Sequence, residues 1–480
     1  MLRDVRRRSA RKTGVGVLRH MADGARSPRA GKRELFGTDG VRGVANQHPM
    51  TCELALALGR AVAYQMRNGP YRHKILIGKD TRLSGYMLEM AFASGVCSMG
   101  VDALLIGPMP TPAVAFLTKD MRADAGVMIS ASHNPYEDNG IKIFGRDGFK
   151  LPDARESELE ALMEDERVGR VRPTKSAVGK AFRIDDARGR YNRMLKSVFP
   201  QHLDLTGMRI AVDCANGAAY RVAPTVLEEL GASMFATGVS PDGRNINRRC
   251  GALHVDNLQA LVRRRRADIG LALDGDADRL IVVDDQGQVV DGDVLLAIGA
   301  RDLLERDALP GRTLVATIMS NLALDKKLQE LGGQVVRTRV GDRYVVETMR
   351  EHGYRFGGEQ SGHLVYLEHG TTGDGMVAAL KLLGVMRQQG VALSELRQCL
   401  HLLPQSLVNV PIRHRKPVEE LPTVRQVIER AERSLGDDGR VMVRFSGTEP
   451  KVRVLVEGPD SGAIGSYASE IASEIGRALG

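Results

Sequence analysis

The chain has 480 residues, 43% of them hydrophobic and 26% charged, which excludes a disordered or fibrous polymer; at roughly 100–200 residues per domain it needs three or four cores. Its formal net charge of +9 invites a nucleic-acid reading, but Met1 to Arg33 carry eleven Lys and Arg against only Asp4 and Asp23, which accounts for the whole excess. A neutral body lacks the electrostatic footprint that nucleic acid requires, so no nucleic-acid partner is expected.

Residues 1–33 hold no apolar segment beyond Val15 to Leu18, so they read as neither a secretory signal nor a membrane span, and no membrane partner is expected. Their Arg-rich, acid-poor composition is like that of a transit peptide. The preferred readings are a disordered basic extension, or a start placed upstream of the true one near Met21. Five scattered cysteines (Cys52, Cys97, Cys214, Cys250, Cys399) without a C-x-x-C pair fit a reducing cytoplasm rather than a disulfide frame or a zinc site.

Three segments then repeat one plan: a short apolar strand, a polar turn, an amphipathic helix ending at Gly, and a second strand. They start at Lys74 to Gly78, Met208 to Val212 and Arg312 to Ala316, and their helices close near Gly100, Gly231 and Gly332. Such alternation predicts mixed α/β sheets with helices on their faces. From Leu403 the rhythm changes to strand, helix, paired strands and final helix, a smaller α+β unit. Polar stretches at Arg170 to Ala177, Asp284 to Asp291 and His401 to Gln405 divide the chain into 34–176, 177–286, 287–402 and 403–480.

Five motifs lie along this frame. Gly37-Thr-Asp39-Gly40-Val-Arg42-Gly43 offers a cation from a glycine-rich loop and is equally readable as a turn. In Ile129 to Lys142, ISASHNPYEDNGIK, an apolar run delivers Ser132 on a tight polar loop, a site for chemistry or an ordinary loop serine. Adjacent side chains on an extended turn point apart, and no G-x-S-x-G elbow is present, so a Ser132–His133 hydrolase is disfavoured. Asp274-Gly-Asp276-Ala-Asp278-Arg279 follows one strand-like run and precedes another. Three carboxylates at alternate positions can converge on a hard divalent cation, the competing reading being a solvated acidic turn. An EF-hand fails, because the sixth loop position is Arg279 and the twelfth Asp285. Gly357 to His363, GGEQSGH, can bond vicinal sugar hydroxyls. Arg444 to Pro450, RFSGTEP, followed by Arg453, places hydroxyls, a glycine and two guanidiniums in a turn suited to a phosphate dianion, or to a plain charged hairpin. The run Arg263 to Arg266 reads as a solvated helix face.

In this order, from Leu35 to the end, the motifs resemble the α-D-phosphohexomutase superfamily of sugar-phosphate mutases. The resemblance implies three related mixed-sheet α/β domains plus a smaller C-terminal α+β domain around a central cleft, each contributing one loop. It matches Ser132 to a phosphoserine and Asp274, Asp276 and Asp278, with the Ser132 oxygen, to Mg²⁺ ligands. Glu359 and Ser361 match sugar-gripping residues, and Arg444, Ser446, Gly447, Thr448 and Arg453 match the clamp on the phosphate that is not transferred. Arg42, Lys142, Arg279 and His363 match cationic or proton-transfer positions, and His133 belongs with the substrate contacts. The spellings SASHNP, DNGIK and GEQSGH imply the branch interconverting glucosamine 6-phosphate and glucosamine 1-phosphate through a 1,6-bisphosphate, on the route to UDP-N-acetylglucosamine. A glucose or mannose phosphate mutase of the same superfamily, a non-catalytic sugar-phosphate sensor and a metal-dependent phosphatase are the rival readings. The resemblance also implies a cytoplasmic protein, with a homodimer as the assembly considered, and closure of the fourth domain over the cleft.

Overall fold

The computed structural model describes residues 34–37, 39–445 and 450–480. The basic segment Met1 to Arg33, and Ser446, Gly447 and Thr448 of the fifth motif, lie outside the described residues.

One four-strand arrangement occurs three times. In the first unit Lys74–Lys79 runs parallel to Asp102–Pro108 on one side and to Ala125–Ile129 on the other, and Ala125–Ile129 returns antiparallel through Asp138–Gly145. Arg209–Asp213, Ser233–Thr237, Ile269–Leu273 and Leu280–Asp284 repeat it in the second unit. Thr313–Thr317, Gln334–Thr338, Phe356–Gly358 and Leu364–Tyr366 repeat it in the third. Central strands such as Ala125–Ile129, Ile269–Leu273 and Thr313–Thr317 are buried along their whole length, because crossover helices cover both faces of the sheet. That is why they read as unbroken apolar runs.

The first sheet is widened to seven strands. Phe36–Gly37 and Gly40–Val44 join at one edge, and Ala181–Arg183 pairs parallel with Asp102–Pro108 at the other. This last strand lies beyond residue 176, where the polar stretch had been expected to end the unit; three exposed residues are too few to carry a period in sequence.

The fourth unit is an antiparallel sheet ordered Gln405–Pro411, Lys451–Glu457, Arg440–Phe445, packed against the helices Pro422–Leu435 and Ser461–Leu479. Its core around Val410, Val424, Val454 and Ile471 is a cluster of its own, whereas one continuous cluster runs through the first three units from Leu76 past Ile210 to Leu400. Polar contacts link the two bodies. The Asn321 side-chain amide donates to the Leu403 carbonyl at 2.9 Å and accepts from Leu403 N–H at 3.1 Å, and Arg440 Nη2 donates to the Ser320 carbonyl at 2.6 Å.

Candidate active site

The connection from the third to the fourth strand carries Ser132 in the first unit, Asp274 to Arg279 in the second and Glu359 to His363 in the third. Ser132, on its tight polar loop, is 1% exposed and closed over by the second unit. Its backbone sits at φ 51, a left-handed conformation that a non-glycine residue holds only when its surroundings enforce it.

The enforcement is visible. Arg82, with no exposed surface, donates from Nη2 to the carbonyls of Ser132 and Asn134 at 2.9 Å each, and from Nη1 to those of Asp138 at 3.0 Å and Pro135. Its Nε is anchored 2.8 Å from Asp80 Oδ2, which also accepts from Ser130 Oγ. From the second unit, Asn247 Nδ2 donates to the same Ser132 and Asn134 carbonyls. A guanidinium saturated by carbonyls in a buried site has one geometry, so the loop does too. Sequence reading took Asp80-Thr81-Arg82 as a turn only, and did not single out Asn247.

The expectation that His133 points away from Ser132 fails for the same reason. It assumed extended backbone; with Ser132 left-handed, His133 Nδ1 comes within 3.2 Å of Ser132 Oγ. Burial, with Arg279 and Arg42 nearby, depresses His133 to about 4, so the ring is neutral near pH 7.

Ser132 Oγ donates to Asp274 Oδ2 at 2.6 Å. Oxygens of Asp274, Asp276 and Asp278 lie within 4.8 Å of one another, and all three residues are buried. Burial and the neighbouring carboxylates push Asp274 well above its ordinary value, while at Asp276 the effect of burial is outweighed by Lys142, which holds it below. Asp276 Oδ1 and Asp278 Oδ1 are buried with no hydrogen-bond partner. Converging orphaned carboxylate oxygens fit a hard divalent cation such as Mg²⁺, which takes oxygen ligands and would relieve their repulsion. Gly275 lets the two loops meet, since a Cβ there would stand 2.5 Å from the Ser132 carbonyl oxygen. Thr111, another residue not singled out, donates from Oγ1 to Asp276 Oδ2 at 2.6 Å and fixes that carboxylate's rotation.

Lys142 Nζ stands 2.8 Å from Asp276, 3.2 Å from Asp278 and 3.1 Å from Asp39, and Arg42 pairs with the same Asp39. Arg279 donates its N–H to Asp274 Oδ1 at 3.2 Å, with its Nε 3.9 Å from Asp278. In the third unit, Ser361 Oγ is 3.4 Å from Glu359 Oε2, and Glu359 Oε1 accepts the Gly341 N–H at 2.9 Å. His363 is 3% exposed, packed where a Cβ on Gly373 would fall 1.7 Å from its Cδ2.

On the fourth unit, Arg444 and Arg453 are directly opposed across the antiparallel pair. Burial and the facing Arg453 lower Arg444 below the usual guanidinium range. Two guanidiniums side by side suit a dianion, and Ser446, Gly447 and Thr448 lie between Arg444 and Arg453 in the sequence.

Three α/β units presenting a buried serine, a carboxylate triad and a carboxylate-hydroxyl pair, with a fourth presenting paired arginines, define a phosphosugar-handling protein. The chain belongs to the phosphoglucomutase/phosphomannomutase family, matching its alpha/beta/alpha domains I, II and III over residues 33–169, 190–287 and 291–402 and its C-terminal domain over 407–474. A phosphoglucosamine mutase of Anaeromyxobacter sp. (strain Fw109-5) is 61% identical over 452 residues, covering 93% of this chain and 96% of that protein. Among solved structures, a phosphoglucomutase/phosphomannomutase family protein of Burkholderia thailandensis is similar with a TM-score of 0.78 and 24% identity, covering 92% of this chain and 97% of that one. The Aspergillus fumigatus N-acetylphosphoglucosamine mutase, solved with GlcNAc-6P and magnesium, matches with a TM-score of 0.65 and 18% identity over 94% and 96% of the two chains.

Proposed function

We propose that this chain interconverts glucosamine 6-phosphate and glucosamine 1-phosphate, with Ser132 as the phosphoryl carrier. The observation that carries the reading is the Ser132 hydroxyl held 2.6 Å from a buried aspartate triad. A phosphate monoester resists attack because its negative charge repels nucleophiles, so the site must neutralise charge and align donor with acceptor. Asp274, Asp276 and Asp278, completed by the phosphoserine oxygen, would hold Mg²⁺, which neutralises charge on the transferring group. Arg279 and Lys142 add fixed positive charge beside it.

With phosphoserine 132 loaded, O1 of glucosamine 6-phosphate attacks phosphorus, the Ser132 Oγ–P bond breaks and glucosamine 1,6-bisphosphate forms. The bisphosphate turns over in the cleft, and Ser132 Oγ takes the phosphoryl group from O6, leaving glucosamine 1-phosphate and a recharged serine. His363, Lys142 and Arg42 are the groups placed to move the proton lost by O1 and gained by O6. Glu359 and Ser361 hold sugar hydroxyls, His133 contacts the substrate, and Arg444, Ser446, Gly447, Thr448 and Arg453 grip whichever phosphate is idle. A pocket of arginines and hydroxyls suits this alternation, since it recognises a dianion and little of the sugar.

The domain limits 34–176, 177–286, 287–402 and 403–480 assign one loop to each unit, with the strand Ala181–Arg183 joining the first unit's sheet from beyond the first limit. Among the described residues no helix is long and apolar enough to cross a membrane, and the reading places the protein in the cytoplasm. Assembly as a homodimer is part of the same reading; light scattering at working concentration tests it.

The deciding experiment compares glucosamine, glucose and mannose phosphates side by side, with intact mass before and after phosphatase. Glucosamine phosphate should turn over fastest. Ser132→Ala should abolish isomerisation and lose one phosphate of mass; an active, still phosphorylated variant would refute the carrier role. Faster turnover of a glucose or mannose phosphate would reassign the sugar, and inorganic phosphate as the product would make the protein a phosphatase.

A further inference from the structure

Three consecutive residues at the start of the helix Asp342–His352 reach across to other loops and to the first unit. Gly341 N–H holds Glu359 Oε1. Asp342 Oδ2 lies 2.6 Å from Lys150 Nζ in the first unit and 3.6 Å from His363 Nε2, too long for a hydrogen bond. Arg343 crosses to the first unit as well, pairing with Glu156 at 2.7 Å and with Asp153. Lys150 carries the contact onward, because its Nζ is also 2.6 Å from Asp39 Oδ1, and the other oxygen of Asp39 meets Lys142 and Arg42. Charges of alternating sign therefore run from Asp342, beside His363, past Lys150 and Asp39 to Lys142, and Lys142 ends on two of the triad aspartates.

Asp342 is 8% exposed and the Lys150 side chain equally buried. Ion pairs in such surroundings are directional, since each charge depends on its partner for solvation and neither can drift without leaving the other bare. Arg343 already ties the first and third units through Glu156 and Asp153, neither of which contacts a site residue named above among the described residues, so a second tie is redundant for holding them together. What Asp342 adds is a contact whose every partner is a cleft-side group.

We propose that Asp342 is a positioning residue for phosphoryl transfer: by gripping Lys150 beside His363 it sets the sugar loop of the third unit in register with Lys142 and Asp39 of the first, without touching substrate. This rests on the mutase reading above. Register of this kind matters to transfer because the sugar enters on Glu359 and Ser361 while the phosphoryl group waits on Ser132, and small misplacements of aligned groups cost rate steeply.

The test uses the full chain and glucosamine 6-phosphate. Asp342→Asn should lower kcat on the order of tenfold or more, with KM within about threefold and the Ser132 phosphate still present by intact mass. Lys150→Met should do the same, and the double variant should be no slower than the slower single, because both act through one contact. Asp342→Glu, keeping the charge, should recover part of the loss and serves if Asp342→Asn folds poorly. Arg343→Gln is the control for a purely structural tie: a lower melting temperature with kcat within about twofold. Independent, multiplying effects of the two singles, a loss confined to KM, or a kcat for Asp342→Asn equal to wild type overturns the proposal while the mutase reading stands. A wild type that does not isomerise glucosamine 6-phosphate overturns both.

Discussion

At the scale of single residues the site depends on close approaches that particular atoms permit. His363 stands where Gly373 has no side chain, and its ring is pinned because the space a methyl group would take is already filled by the imidazole. Gly373→Ala should push the ring aside and lower kcat on the order of a hundredfold, with the metal triad untouched; steady-state kinetics beside a magnesium titration checks this, and unchanged kcat would remove His363 from the chemistry. Residues of this kind divide by how far they can be read in sequence. Ser132 and the three aspartates were legible because short motifs crowd reactive groups together. Arg82 was not, since its meaning lies in carbonyls 50 to 56 residues further on, and its triplet looks like any polar turn. Asp342 and Lys150, 192 residues apart, were illegible for the same reason.

At the scale of elements, the repeated plan was visible in its first half. Strands buried on both faces, such as Arg209–Asp213 and Thr313–Thr317, print as apolar runs, and the helices after them end at glycine. The second half was fainter: Phe356–Gly358 and Leu364–Tyr366 have three residues each, too short to show a period, so the motifs were not seen to occupy one equivalent hairpin.

The helix Gly292–Glu305 supplies a testable property of its own. Asp293 in its first turn is wholly buried and accepts the Asn321 N–H at 2.7 Å, and burial, reinforced by Asp291 and only partly opposed by Arg337 and nearby hydrogen bonds, raises it to about 7. A carboxyl raised in the folded state stabilises fully below its unfolded value near ~3.9, and that stability is lost as pH rises through the folded value. The amount at stake is on the order of 4 kcal/mol. Melting temperature should therefore fall between about pH 4 and 7, and level off above that, more steeply for wild type than for Asp293→Asn, measured in matched buffers; parallel curves would show that Asp293 stays ionised throughout.

At the scale of the whole molecule, three units that share one continuous core cluster face a fourth with a core of its own, and polar contacts between them run from Asn321 to Leu403, from Ser320 to Arg440 and from Lys326 to Asp438. The proposed catalytic groups sit on the large body and the opposed arginines on the small one. Rotation about so few contacts is the economical way to close the cleft and exclude water from a charged phosphoserine. Asn321→Ala removes both bonds to Leu403 and should raise KM for the sugar phosphate while the Ser132 phosphate is retained, which kinetics and intact mass read together. An unaltered KM would place the pivot elsewhere.

The separate core of the fourth unit also bears on how the chain comes apart. Cooperativity extends only as far as shared packing does, so heating should melt residues 403–480 as one calorimetric transition and the remaining body as a later one. A bisphosphate spanning both bodies binds neither melted form. It should draw the two heat-absorption peaks together as its concentration rises, making the thermogram itself a gauge of occupancy.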